Sequence, residues 1–371
     1  MRHAPFKTCL EYAMNIEKIV AAFDFGAPVT AIRECRIGHI NSTFFADCAN
    51  GRFVVQRINR GIFKRPEEIM SNVVGVTTHI RKKLIAEGKD PDTGTLTFVK
   101  SGERYFHIDE EGEYWRAYRF VDGDCFNACD SAALFSRVGS AFGRFQRQLA
   151  DYDAATLYEV IPDFHNTVKR YEAFEAAVAA DAVGRAAECA EEIAFIRERR
   201  DVCAIIVDGL ADGRFPLRVT HNDTKLNNVV MNRETGEGQC VIDLDTVMPG
   251  SLLYDFGDAI RFGASSAPED ETDLSRVYVK PEMVAAFTEG FIEGLAGAIT
   301  VEEIKALPES ARVITLEGAI RFLTDYLNGD TYFRIHYPTH NLDRARNQLK
   351  LVADMEERRA ELEASVAKYL V

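Results

Sequence analysis

Two short apolar runs, NVVM and QCVID, flank the turn-rich stretch NRETGEG between Asn228 and Asp243, in a region whose apolar residues otherwise recur at helical spacing. This embedded hairpin constrains the fold more than any other feature. A two-stranded ribbon is marginal in water, so the helices before and after it must supply its core. Those helices are legible in ALFSRVGSAFGRFQRQL, in AVAADAVGRAAECAEEIAFIRERRDVCAIIVDGL, and from Pro281 to the C-terminus.

Upstream of VDGD the pattern is different. TAIRECR, STFFADC and RFVVQRI are β-branched or aromatic runs separated by IGHIN and ANG, which predicts a meander of three strands. Pro66 then opens a helix, with Glu67 and Glu68 complementing its dipole and Gly88 stopping it. ERYFHID and EYWRAYRFV predict two more strands around the turn EEGE. The reading is an α+β chain of two lobes: residues 1–120, a small antiparallel sheet with one helix, and residues 121–371, mainly helical with the embedded hairpin. That is the plan of a protein-kinase-like fold.

Composition removes several function classes. A formal net charge of -14 opposes a nucleic-acid backbone or an anionic membrane as partner. No apolar run is long enough to cross a bilayer, and the first twenty residues lack a signal-peptide pattern, so a cytoplasmic location is expected. The eight cysteines are scattered, and Cys125 with Cys129 form the sole close pair; they read as reduced, small hydrophobes. No long heptad or exposed apolar stripe is evident, which makes a monomer the expectation.

His221, Asp223 and Asn228 spell H-x-D-x-x-x-x-N, with Lys225 two residues after the aspartate. Phosphoryl transfer needs these types: a carboxylate to orient the nucleophile and take its proton, an amide oxygen for magnesium, and a cation against the transferring phosphoryl group. A second carboxylate must reach the same metal. An antiparallel hairpin pairing Asn228 with Asp243 has its midpoint between Thr235 and Gly236, inside the turn, so Asp243 returns beside Asn228. Asp255 spells Asp-Phe-Gly but lies beyond Pro249 and Gly250, which break the chain before the next helix. The geometry therefore favours Asp243 as the metal ligand.

HNDTKLNN, VIDLDT and YDFGDAIR together resemble the aminoglycoside phosphotransferase and choline kinase superfamily. Within it, IGHINSTFF, SAFGRFQ, IRFLTDYLNGDTYF and YPTHNLDRARNQLKLV are most similar to the kinases that phosphorylate N-acetylhexosamines at C1. The resemblance implies that Asp223 is the catalytic carboxylate, that Lys225 lies near the γ-phosphate, and that Asn228 and Asp243 hold Mg²⁺. It implies that Asp255 anchors the catalytic loop, while His221 reads as a structural hydrogen-bonding residue of that loop rather than a base. It places Arg321 and Tyr332 near the sugar, with His39, Asn222 and Asp245 as further candidates for substrate contact.

Bland rivals stand beside these roles. Asp245 is equally a solvated end-of-strand carboxylate, Arg321 and Asp325 have the i,i+4 spacing of a structural ion pair, and Tyr332 beside Phe333 is equally a core residue. Asp24-Phe25-Gly26 closes an N-terminal helix and has no function assigned. The nucleotide site departs from a protein kinase: the loop IGHINST has Gly38 as its one glycine, and the strand position of the phosphate-binding lysine reads Gln56. Gly38, His39 and Asn41 are left to cradle phosphates, Arg57 or Lys64 to supply charge, and Phe120 and Val121 to flank adenine, while Glu67 and Glu68 look solvated. The expectation is an ATP- and Mg²⁺-dependent kinase acting on the anomeric hydroxyl of a small-molecule sugar. Its rivals are a kinase of another small alcohol (aminoglycoside, choline or homoserine) and a non-catalytic nucleotide-binding regulator.

Overall fold

The structure, a computed structural model, describes residues 16–35, 41–129 and 131–370. The chain divides into two compact units, Met1–Asp122 and Gly123–Val371.

In the first unit, β1 (Val29–Cys35), β2 (Ser42–Cys48) and β3 (Gly51–Arg57) form the meander, followed by α1 (Pro66–Ala86) and the one-turn helix α2 (Pro91–Gly94). The strands β4 (Phe98–Val99), β5 (His107–Ile108) and β6 (Tyr114–Arg119) complete one antiparallel sheet in the order β1-β2-β3-β6-β4, with β5 also on β6. The two-residue β4 escaped the sequence reading because a run so short leaves no period. Alternation along the strands gives each face its character. Phe44, Ala46, Phe53, Val55, Trp115 and Ala117 point to one side and pack with Ile19, Phe23 and Phe25. Glu67 and Glu68 are not simply solvated: Glu67 accepts from the Tyr114 hydroxyl at 3.1 Å, and Glu68 pairs with Arg65 at 2.8 Å.

The second unit is built on helices α3 (Ala132–Gln148), α4 (Thr167–Ala180), α5 (Ala190–Glu198), α6 (Ile205–Ala211), α7 (Leu252–Gly263), α8 (Pro281–Leu295), α9 (Val301–Leu327), α10 (His340–Glu357) and α11 (Arg359–Ala367). Helices α3 and α8 cross at backbone contact. A Cβ on Gly139 or Gly143 would strike the α8 backbone, and one on Gly290 or Gly294 would strike that of α3. The long helix α9 lies on α7 and α10. Against this frame sit two ribbons, β7 (Arg218–Thr220) with β10 (Met248–Gly250) and β8 (Val229–Met231) with β9 (Gly238–Val241). Pro249 and Gly250 thus do not merely break the chain; they pair with Val219 and Arg218 before Ser251 caps α7.

Candidate active site

The residues between β7 and β8 form a loop whose backbone is tied to helix α7. Asp255 is almost fully buried; its carboxylate accepts the N–H of His221 at 3.0 Å and that of Asn222 at 2.8 Å. The Gln146 amide adds a third donor at 2.6 Å. One turn further along α7, Asp258 accepts the N–H of Thr224 at 2.9 Å, and the Thr224 hydroxyl donates to the Asp255 carbonyl at 2.6 Å. Asn222 needs this clamp, because its backbone is left-handed at φ 65°. Burial pushes the Asp255 carboxyl up, against the opposing pull of His221 and the donors bonded to it.

His221 is fully buried between the ring edges of Phe142 and Phe145. Its Nε2 donates to the Ile242 carbonyl at 2.8 Å, so Nδ1 is the acceptor for the Asp223 N–H at 3.3 Å. The ring serves as a strut between the loop and the end of β9.

Asp223 is the half-exposed carboxylate of the loop. Lys225 Nζ lies 2.7 Å from Oδ1, and Asn228 Nδ2 donates to Oδ2 at 3.2 Å and to the Asp223 carbonyl at 2.8 Å. Burial works against the Lys225 ammonium, but Asp223 and Asp258 outweigh it and raise the pKa, so Lys225 is a fixed cation beside the carboxylate.

The hairpin register is one residue from the sequence reading. Val229 pairs with Val241, centring the hairpin on Thr235, and the Ile242 N–H reaches the Asn228 carbonyl at 2.9 Å. Asn228 therefore pairs with Ile242 rather than Asp243. A slip of this size would turn the next side chain to the opposite face. Here Asp243 leaves the strand in a left-handed conformation, φ 59° and ψ 55°, which redirects it. Asp243 is exposed, and with the Asn228 nitrogen spent on Asp223, Oδ1 is the end of that amide an ion would meet. One carboxylate and one carboxamide oxygen are hard ligands that suit Mg²⁺.

The remaining candidates fall in several places. Gly38 and His39 lie outside the described residues. Asn41 accepts the Asn59 N–H at 3.0 Å, which ties it to the chain after β3. Gln56 is bonded to Thr43 and Arg116. Phe120 stacks edge-on against Phe45 at 5.6 Å, and Val121 is buried. The Asn222 amide donates to the Thr246 carbonyl at 2.8 Å, so that nitrogen braces the loop after Asp243 and is not presented to a substrate. Asp245 is buried in the same turn, so it is not a solvated carboxylate.

Arg321 and Asp325 are not paired. Arg321 faces Glu317 at 3.8 Å and lies over the rings of Phe164 and Phe333 at 5.3 and 5.6 Å. Asp325 instead collects the backbone N–H groups of Thr331, Tyr332 and Phe333 at 2.8–2.9 Å. That nest holds out Tyr332, which is 67% exposed and therefore not a core residue. Asp258 and Gln146 were missed in the sequence, and Asp325 was read there only as an ion-pair partner for Arg321. Asp258 had a signal, lying three residues after Asp255 on one helix face; Gln146 and Asp325 reach partners that no local pattern announces.

A two-unit chain with this loop, hairpin and anchoring helix has a kinase-like, phosphotransferase architecture. Residues 31–288 match the model of the phosphotransferase enzyme family, and the chain belongs to that family. Similar solved structures include aminoglycoside 2'-phosphotransferase-IIIa in its GDP complex (13% identity, 92% of this chain and 99% of that one, TM-score 0.57). Spectinomycin phosphotransferase with ADP and spectinomycin is similar over 94% of this chain and 98% of that one (14% identity, TM-score 0.54). Choline kinase from Cryptosporidium parvum Iowa II matches at 11% identity over 92% and 93%, with TM-score 0.54. At these identities the structures establish a shared fold. Among the described residues, no helix is long and apolar enough to cross a membrane.

Proposed function

We propose that the protein is an ATP-dependent kinase that phosphorylates the anomeric hydroxyl of an N-acetylhexosamine. The observation that carries the kinase reading is Asp223, a half-exposed carboxylate oriented by Lys225 and Asn228 on a loop whose backbone is clamped by Asp255 and Asp258. Such positioning is what phosphoryl transfer asks of a protein. The Asp223 carboxylate accepts the C1 hydroxyl proton as the sugar oxygen bonds to the γ-phosphorus and the bond to the ADP oxygen breaks. Lys225 offsets charge on the transferring group. Mg²⁺, held by Asn228 and Asp243, would supply charge neutralisation across the phosphates. The sugar's own C1–O bond is untouched, so the anomer bound is the anomer released.

The acceptor class rests on the resemblance and on Arg321, which lies over the Phe333 ring that Tyr332 meets edge-on. Burial and then the Arg321 charge lower the Arg170 guanidinium, with Glu317 opposing. Two guanidinium groups sharing the one Glu317 carboxylate leave a positive surplus, which disfavours a cationic alcohol such as choline or an aminoglycoside, the acceptors that the relatives' names suggest. ADP release measured with N-acetylglucosamine, N-acetylgalactosamine, galactose, glucose, choline and kanamycin separates these readings. The N-acetylhexosamines should give the highest kcat/KM, with a ³¹P resonance coupled to the anomeric proton. Preferential turnover of choline or kanamycin would overturn the sugar assignment and leave the kinase one standing.

A further inference from the structure

Gln56 occupies the strand position where a kinase places its phosphate-binding lysine, and a carboxamide brings no charge. The sheet shows where a replacement can come from. Thr43, Gln56 and Arg116 are directly opposite one another on β2, β3 and β6. Gln56 Nε2 donates to the Thr43 hydroxyl at 3.1 Å, and Arg116 donates to Gln56 Oε1 from Nε at 3.1 Å and Nη2 at 2.9 Å. Arg116 is only 4% exposed. Its neighbours Trp115 and Ala117 belong to the apolar cluster, so Arg116 projects from the other face of the sheet, the one Gln56 occupies.

The same register removes the two cations suggested by sequence. Arg57, one residue after Gln56, points to the opposite face and donates to the Ser42 hydroxyl at 3.2 Å. Lys64 lies beyond the strand and is exposed. On the Gln56 face, the rung before the polar one is Phe45, Val54 and Tyr118, with Phe120 against Phe45. Arg52, paired with Asp47, lies over the Phe45 and Phe120 rings at 5.5 Å, so the face runs from an aromatic rung edged by a paired guanidinium to the rung of Thr43, Gln56 and Arg116, about 7 Å along the strands. That polarity matches a nucleotide lying with its base at Phe45 and Phe120 and its phosphates at Thr43 and Arg116.

We infer that Arg116, held in a fork by Gln56, is the cation that binds the nucleotide's α- and β-phosphates in place of the strand lysine. This assignment rests on the kinase reading but not on the identity of the acceptor. The planar guanidinium suits phosphate oxygens, and Gln56 fixes its orientation without contributing charge.

Calorimetric titration of ADP and of adenosine with Mg²⁺ present tests the assignment without any acceptor. In Arg116→Met, ADP affinity should fall by about 10- to 100-fold, the range for a hydrogen bond to a charged group, while adenosine affinity is unchanged. Arg116 is buried, so Gln56→Glu supplies a variant that keeps the packing: the new carboxylate pairs with Arg116, the melting temperature holds or rises, and ADP affinity alone falls. Arg57→Met and Lys64→Met should bind ADP as the wild type does. Folded Gln56→Glu with unchanged ADP affinity, or loss of ADP affinity in Arg57→Met or Lys64→Met, would overturn the assignment. Failure of the wild type to bind ADP at all would overturn the kinase reading with it.

Discussion

Asp223 is the residue on which the proposed chemistry turns, and its surroundings separate orientation from charge. Asn228 and Lys225 approach different oxygens of its carboxylate. In Asp223→Asn the fold and the Lys225 cation remain, but the proton acceptor is gone. Turnover should fall by about 10²- to 10⁴-fold, the usual contribution of a positioned general base, with ADP affinity retained. A variant with near-wild-type turnover would show that the proton leaves by another route. H-x-D-x-x-x-x-N made the grouping of Asp223, Lys225 and Asn228 legible at this scale, because it follows from residue type and spacing. Tyr332 was not: next to Phe333 in sequence it has a core neighbour's profile, and only the Asp325 nest turns it outward.

At the scale of elements, the catalytic loop is held by a helix rather than by its own turns. Asp255 offers two oxygens to two backbone N–H groups and to Gln146. Asparagine keeps one oxygen and sets an NH₂ against a backbone donor. Asp255→Asn should therefore lower stability by about 1–3 kcal/mol, the cost of a buried donor left unpaired, and reduce turnover through a misplaced loop. Urea unfolding read beside kcat checks this; an unchanged midpoint and rate would remove the anchoring role. The Asp-Phe-Gly spelling is that of a metal ligand, but its place beyond Pro249 and Gly250 already set it aside in favour of a loop anchor, and Asp255 is buried at the start of α7 with its oxygens committed. The hairpin was legible from its turn residues, but its register was not. The bulge between Val230 and Met231 and the left-handed Asp243 depend on packing that the apolar pattern does not encode.

Across the helical unit as a whole, a buried ionic cluster links distant segments. Glu317 on α9 meets His165 at 3.1 Å and Thr167 at 3.2 Å, with Arg170 and Arg321 nearby and Tyr254 stacked on the His165 ring. Burial pushes the Glu317 carboxyl up, but His165, Arg321 and Arg170 outweigh it and hold it below its ordinary 4.5. The folded chain therefore binds fewer protons here than the unfolded one. The resulting stability is present above pH 4.5 and is lost as pH falls through the folded value. Thermal melts of Glu317→Gln should show a lower midpoint at neutral pH and a shallower loss in acid; curves parallel to the wild type would exclude the contribution. By itself, the sequence determined the α+β plan, the grouping of the loop residues and most strands, since hydrophobic period, turn residues and motif spacing are local quantities. Tertiary structure alone decided which carboxylate caps which N–H, which way Arg321 points, and that Arg116 shares a rung with Gln56. Those outcomes depend on register and side-chain packing between segments up to about 150 residues apart, as for His165 and Glu317, and nothing in the intervening sequence records them.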